Sequence, residues 1–152
     1  MKQSNRPVLY TIGFAKKNAE TFFELLRKAK ISKLIDVRLN NVSQLAGFTK
    51  KNDLAYFLDK ILGCAYLHRS DWAPTAEILD PYKKKQTSWA DYVRDFTALM
   101  ERRRVGSDVS VAALDNVCLL CSEPTPEQCH RRLVAERLQV LYPALRVVHL
   151  MK

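Results

Sequence analysis

The stretch LLCSEPTPEQCHRRL, which covers residues 119–133, gathers side chains that can attack, move protons and bind anions. Cys121 and Cys129 can act as nucleophiles or redox thiols, because a thiolate is reactive in both ways. Glu123 and His130 can donate or accept a proton at a reacting centre. A thiol in the first turn of a helix is favoured as a thiolate, since free backbone amides stabilise negative charge there. The stretch therefore predicts thiol chemistry, anion binding or both.

Two arginines could supply the positive charge that an anion needs. Arg131 follows His130 directly, and Arg38 stands with Asp36 at the end of an apolar run. Arg38 and Arg131 could bind an anion while Asp36 orients His130 or Arg131. A structural ion pair between Asp36 and Arg38 is the alternative interpretation. Ser43, in the polar loop that follows, offers one further hydrogen-bond donor to a substrate.

A zinc site is suggested by the spacing Cys118-x-x-Cys121 followed by the pair Cys129 and His130. Residues three apart in a strand point to opposite faces, roughly 10 Å apart, so Cys118 and Cys121 could share a metal only if the strand ended between them. Neighbouring helical residues diverge by about 100°. We therefore predict no metal site and no other cofactor here, and we expect Cys118 to be a small buried hydrophobic residue.

Short apolar runs alternate with longer amphipathic runs along the chain, which is typical of βαβ units and a parallel sheet. The fold class expected is α/β, a single domain over residues 8–152 after an N-terminal tail at residues 1–7. The sheet is predicted to be five-stranded and mostly parallel, with helices on both faces in a Rossmann-like three-layer arrangement. The expected strands cover residues 8–12, 33–37, 65–67, 116–121 and 146–150.

The predicted helices are marked by capping residues. Asn18, Asn52 and Ser88 each stand before a helical apolar pattern, and Gly63 is placed to end the second helix. The last helix is predicted to begin at Pro126, with Thr125 as its N-cap, which would put Cys129 and His130 in its first turn. Residues 71–87 contain two prolines and no clear period, so they are predicted to form a long loop.

Parallel sheets bind ligands beyond the carboxyl ends of their strands. This rule brings together four predicted loops, at residues 13–17, 38–48, 68–72 and 121–128. The candidate residues named above fall in these loops or at their borders.

The 152-residue chain has a strong basic excess, with 25 Lys and Arg against 16 Asp and Glu, or +9 at neutral pH. This charge favours nucleic acid, nucleotides or other anions as partners. No apolar run is long enough to cross a bilayer, and MKQSNRP lacks the hydrophobic core of a signal peptide. We therefore expect a cytoplasmic protein with no membrane partner, whose four cysteines are free thiols.

Four motifs resemble the α/β family called domain of unknown function 488: YTIGF at 10–14, DVRLNNVSQLAGF at 36–48, YLHRSDWAP at 66–74 and LLCSEPTPEQCHRRL at 119–133. The resemblance extends from Tyr10 to about Leu138. Many members have Gly-His-Ser after the first strand, whereas Gly13, Phe14 and Ala15 stand here, which resembles a subgroup with Phe in that place. No role for that histidine is therefore possible in this chain.

The resemblance implies a compact α/β fold whose motifs meet at one edge of the sheet, and it supplies no activity. The site residues that it marks are Gly13, Asp36, Arg38, Cys121, Glu123, Cys129, His130 and Arg131.

The first functional hypothesis is a small cytoplasmic enzyme acting on a nucleotide, nucleic acid or other phosphorylated anion. Its catalytic residues would be drawn from Cys121, Glu123, Cys129 and His130. The substrate would be bound by Gly13, Asp36, Arg38, Ser43 and Arg131.

Two alternatives remain open from the sequence. One is a non-catalytic nucleic-acid-binding module that uses the basic runs 83–85 and 102–104 with Trp72, Tyr82 and Trp89. The other is rhodanese-like sulfur chemistry at Cys121. Two prolines in the loop that follows argue against a full cradle of backbone amides around a persulfide there.

Overall fold

A single parallel sheet with helices on both faces forms the protein in a computed structural model, which describes residues 6–41 and 47–151. The strand order is β3-β2-β4-β1-β5, and every neighbouring pair is parallel. The strands are β1 (Val8–Gly13), β2 (Lys33–Asp36), β3 (Ala65–His68), β4 (Val117–Cys121) and β5 (Arg146–Leu150). The helices are α1 (Ala19–Lys28), α2 (Lys51–Phe57), α3 (Ala76–Lys83), α4 (Trp89–Arg103) and α5 (His130–Leu141). The predicted α/β class is confirmed.

The central strand β4 explains why the sheet needs helices on both faces. All five of its residues are buried. Leu119 and Cys121 belong to the core on one face, and Cys118 and Leu120 to the core on the other. This alternation confirms that Cys118 and Cys121 lie on opposite faces and that Cys118 is buried.

The helices divide between the two faces. Side chains of α1 and α2 fill one core, and side chains of α3, α4 and α5 fill the other. Local signals predicted several helix ends correctly. Asn18 accepts a hydrogen bond from the amide of Thr21 at 2.8 Å, and Ser88 and Asp91 form a capping box. A π-helical segment, Leu58–Leu62, continues α2 and ends at Gly63, which is left-handed with φ +62°.

The prediction of a long loop at residues 71–87 was wrong, because this segment contains helix α3. The helix is only eight residues long and carries Pro81 inside it, so its apolar period is too short to stand out. Ile78, Leu79 and Tyr82 nevertheless pack against the core that α4 and α5 share. Tertiary packing thus stabilises a helix that local propensity disfavours.

The predicted start of the last helix was also wrong. α5 begins at His130 and not at Pro126, and Cys129, not Thr125, is its N-cap residue. Cys129 has extended backbone angles, φ −131° and ψ 138°. A turn from Pro126, closed by a 3.3 Å hydrogen bond from the amide of Cys129, occupies the place of the expected first helical turn.

Within the described ranges no helix combines the length and the apolar character that crossing a bilayer requires.

His149 on β5 gives a pH dependence that can be measured. Burial, together with the positive charges of Arg131 and Arg132, lowers the pKa of His149 below its ordinary 6.5, while Glu127 opposes the shift. The unfolded chain therefore binds this proton more tightly than the folded one. The free energy of unfolding should be highest above pH 6.5, fall as the pH drops through that value, and level off below the folded pKa. Urea denaturation between about pH 5 and 8 measures it.

The variant His149→Gln is the control for this titration. It should flatten the pH dependence over that window while keeping a polar partner for Thr11, whose hydroxyl lies 2.6 Å from His149 Nδ1. An equal slope in both proteins would assign the dependence to other groups.

Candidate active site

A cavity of about 520 Å³ opens at the carboxyl edge of the sheet. Three of the four predicted loops line it, through Phe14, through residues 38–40 and through residues 121–123 with Gln128. The loop at residues 68–72 does not line it. Helices α3 and α4 form the remaining wall, with Ala76, Leu79, Asp80, Tyr82, Lys83 and Tyr92. Sequence reasoning missed this wall because it placed no helix at α3.

Cys121 ends β4 at the floor of this cavity, with 3% of its surface exposed. Its sulfur lies 3.4 Å from Nδ1 of His130. On the other side of the ring, Nε2 of His130 lies 2.5 Å from the carbonyl oxygen of Val37, to which only an N–H can donate. The proton of a neutral His130 therefore sits on Nε2, which leaves Nδ1 unprotonated. Cys121 Sγ lies beside the ring, 3.4 Å from Nδ1 and 3.8 Å from Nε2, so this histidine is the candidate base for the thiol.

The surroundings of Cys121 favour its thiolate. Burial alone would raise its pKa, but hydrogen bonds from the Cys129 thiol and from the amides of Ser122 and Glu123, with the charge of Arg131, lower it below the ordinary value. The pKa of Cys129 is raised, first by burial and then by its contact with Cys121. Of the two thiols, Cys121 is therefore the one favoured as a thiolate.

Cys129 reaches Cys121 because it lies outside the helix. As an extended N-cap residue, it turns its side chain toward the same point as His130, and both are buried. The Sγ atoms of Cys121 and Cys129 and a ring nitrogen of His130 all lie within 4.8 Å of one another. The expected divergence of Cys129 and His130 was therefore wrong, since it assumed that both residues are helical.

Arg131 is a fully buried cation below the loop that follows β4. Its Nε donates to Thr11 Oγ1 at 3.1 Å and its Nη1 to the carbonyl oxygen of Glu123 at 2.7 Å. Its Nη2 is buried with no hydrogen-bond partner among the described residues, and no described carboxylate forms an ion pair with it. Arg131 does not line the cavity, so its charge acts on Cys121 through the protein.

Gly13 is the point where β1 touches the loop after β4. A Cβ atom there would lie 1.6 Å from the carbonyl oxygen of Glu123. The close approach allows the amides of Phe14 and Ala15 to donate to the carbonyls of Cys121 and Ser122, at 3.3 and 2.9 Å. Gly13 therefore positions the loop that carries Cys121 and Glu123.

Asp36 and Arg38 form the structural ion pair that the sequence left as an alternative. Asp36 is fully buried, and its two oxygens accept from Arg38 Nε at 2.9 Å and Nη2 at 2.7 Å. Asp36 also accepts from the hydroxyl of Tyr66 at 2.6 Å, and Arg38 donates to the carbonyl of Thr49 at 2.6 Å. The prediction that Asp36 orients His130 or Arg131 was wrong, because the carbonyl oxygen of Val37 orients His130 instead.

The remaining predicted residues lie in different places. Glu123 has an exposed side chain and lines the cavity at its rim, and Arg38 also contributes to the lining. Ser43 lies outside the described residues. The structure thus brings one ligand atom each of Cys121, Cys129 and His130 within 4.8 Å of one another.

An all-parallel α/β sheet with a buried Cys-Cys-His cluster at its carboxyl edge defines the class of this protein. Residues 18–138 match the model of the family described as Domain of unknown function DUF488, and the chain belongs to this family. The matched residues begin after Gly13, Phe14 and Ala15, so membership of a Phe-containing subgroup stays a prediction. The comparisons with curated proteins and with solved structures give no match.

Proposed function

We propose that the protein is a small thiol-dependent enzyme that acts on a nucleotide, a nucleic acid or another phosphorylated anion. The observation that carries the proposal is the 3.4 Å contact between Cys121 Sγ and His130 Nδ1 at the floor of a cavity that opens to solvent. A buried thiol with a histidine nitrogen within hydrogen-bonding distance is the usual form of an activated cysteine nucleophile.

Each residue of the cluster has a part in this reaction. His130 takes the Cys121 proton, and the sulfur then forms a bond to an electrophilic centre of the substrate as the leaving group departs. The protonated His130, or Glu123 at the rim of the cavity, would return a proton to that leaving group. Cys129 and the amides of Ser122 and Glu123 stabilise the thiolate before the attack.

The size of the cavity and the lysine run at its side support a phosphorylated substrate. Its volume of about 520 Å³ is in the range of small-molecule sites. Lys83 lines the cavity, and residues 83–85 form an exposed lysine run beside it. Tyr82 supplies an aromatic wall against which a base could stack. A nucleotide would thus meet an aromatic surface and positive charge together.

The non-catalytic nucleic-acid-binding alternative loses part of its support. Trp72 is fully buried and cannot stack on an exposed base. Arg103 donates from Nη1 to the carbonyls of Asp71 and Ala73, at 3.0 and 2.8 Å. The basic run 102–104 therefore offers fewer free contacts to phosphates than the sequence suggested.

Thiol labelling tests the proposal. At neutral pH, iodoacetamide should modify Cys121 at least roughly tenfold faster than Cys64 or Cys118, as followed by peptide mass spectrometry. Burial raises the pKa of Cys64 to about 11, which makes Cys64 the slow reference within the same chain. Cys121→Ser should remove the fast reaction, and Cys118→Ala should keep it. Slow and equal labelling of all four cysteines would end the proposal.

The substrate class is tested by protection of Cys121 from the same reagent. Nucleoside phosphates should slow the labelling of Cys121 more than the corresponding nucleosides do. The variant K83A/K84A/K85A should weaken this protection, because it removes the positive charge beside the cavity. The matched variant K28A/K51A/K60A removes three exposed lysines from the opposite face of the sheet, where α1 and α2 pack. It should leave the protection of Cys121 unchanged. Equal protection by nucleosides would contradict a phosphorylated substrate.

A further inference from the structure

Cys121, Cys129 and His130 are also suited to bind a metal ion, because thiolates and imidazoles are the preferred ligands of soft divalent cations. We propose that Cys121 Sγ, Cys129 Sγ and His130 Nδ1 form a three-ligand site for a cation of the Zn²⁺ type, and that an ion bound there blocks the Cys121 nucleophile. This goes beyond the proposed enzyme, since the site could bind metal whether or not Cys121 attacks a substrate.

The distances suit tetrahedral coordination. With usual Zn–S and Zn–N bonds, neighbouring sulfur and nitrogen ligands lie roughly 3.5 Å apart. Cys121 Sγ and His130 Nδ1 are already 3.4 Å apart. The whole cluster lies within 4.8 Å. Two tetrahedral sulfurs need a separation of roughly 3.8 Å, so the two sulfurs have to approach by about 1 Å at most. The ring of His130, whose Nε2 is also 3.8 Å from Cys121 Sγ, has to turn so that Nδ1 points to the ion.

The orientation of His130 is the second supporting observation. A histidine that binds a metal usually donates its other N–H to a carbonyl or carboxylate, which fixes the ring and its tautomer. The contact between His130 Nε2 and the carbonyl of Val37 has this form. Nδ1 is thereby left as the unprotonated ligand atom, 3.4 Å from Cys121 Sγ.

Charge and access are also suitable. On binding, two S–metal bonds form, both S–H protons pass to solvent, and the two thiolates neutralise the dication. The three residues line the cavity, so an ion can enter from it, and its fourth position would face the cavity.

Cobalt binding tests the site directly. Metal-free protein titrated with Co²⁺ should bind one ion per chain and show tetrahedral visible bands with a sulfur-to-cobalt charge-transfer band of two-thiolate intensity. Cys129→Ser and His130→Gln should each weaken Co²⁺ binding by more than about 100-fold. Loss of a residue that only hydrogen-bonds to a metal ligand already costs up to about 100-fold in affinity, and these two variants remove a ligand itself. Cys118→Ala, which removes the thiol on the opposite face, should bind like the parent protein. Absence of the charge-transfer band, or equal binding by Cys129→Ser, would overturn the site.

A measurement on the unmodified chain covers the case in which a variant fails to fold. Zn²⁺ should slow the labelling of Cys121 and leave that of Cys64 unchanged, and a chelator should restore it. Labelling that Zn²⁺ does not affect would also overturn the site. Metal binding with slow Cys121 labelling in the metal-free protein would contradict only the proposed enzyme, whereas fast labelling without metal binding would contradict only the metal site.

Discussion

Asp36→Ala is expected to lower the free energy of unfolding by about 3–5 kcal/mol, because it leaves the Arg38 guanidinium buried without its counter-charge. Arg38 has 6% and Asp36 0% of the side-chain surface exposed, so water cannot replace the lost carboxylate. The hydroxyl of Tyr66 loses its acceptor in the same change. Urea denaturation followed by circular dichroism measures the loss.

An exposed ion pair of similar geometry is the control. Arg69 and Asp71 are 2.7 Å apart, but Asp71 keeps 57% of its side-chain surface in water. Asp71→Ala should therefore cost no more than about 1 kcal/mol. The double variant D36A/R38M should recover part of the stability, since it removes the unpaired charge as well. Equal losses for Asp36→Ala and Asp71→Ala would show that burial does not determine the cost of breaking the pair.

Gly13→Ala is expected to cost about 3 kcal/mol, at the upper end of the usual range for overpacking. The new methyl group would meet the carbonyl oxygen of Glu123, which is backbone and cannot rotate away. Either β1 or the loop after Cys121 has to move. The labelling of Cys121 should therefore lose its rate advantage in the fraction that remains folded. Denaturation and thiol labelling on the same sample measure both effects.

Gly47→Ala provides the comparison at a glycine with free space. A Cβ there has no neighbour within 4 Å among the described residues. Its effect on stability should stay within about 0.5 kcal/mol, and Cys121 labelling should not change. If the two glycine variants behaved alike, Gly13 would not be the point that positions the loop.

Local sequence patterns predicted much of the fold because they report local physics. Asn18, Ser88 and Gly63 end or begin helices through contacts within a few residues, so their effect is visible in the chain itself. The alternating apolar runs also predicted the five strands and the edge at which their loops meet. Helix α3 escaped prediction because its stability comes from distant side chains of α4 and the sheet, while Pro81 obscures its local pattern.

The amino-acid order determined that two cysteines, a histidine and two arginines stand at the carboxyl ends of buried strands, since hydrophobic periodicity places those ends. Only the tertiary structure decided how they are paired. Arg38 forms an ion pair with Asp36, and Arg131 donates to the carbonyl oxygen of Glu123 beneath the loop that follows β4. The sulfur of Cys129 lies within 4.8 Å of that of Cys121 because Cys129 is extended and helix α5 begins only at the next residue, His130. These contacts depend on a single extended residue and on a carbonyl from another strand's end, which no periodicity in the sequence records.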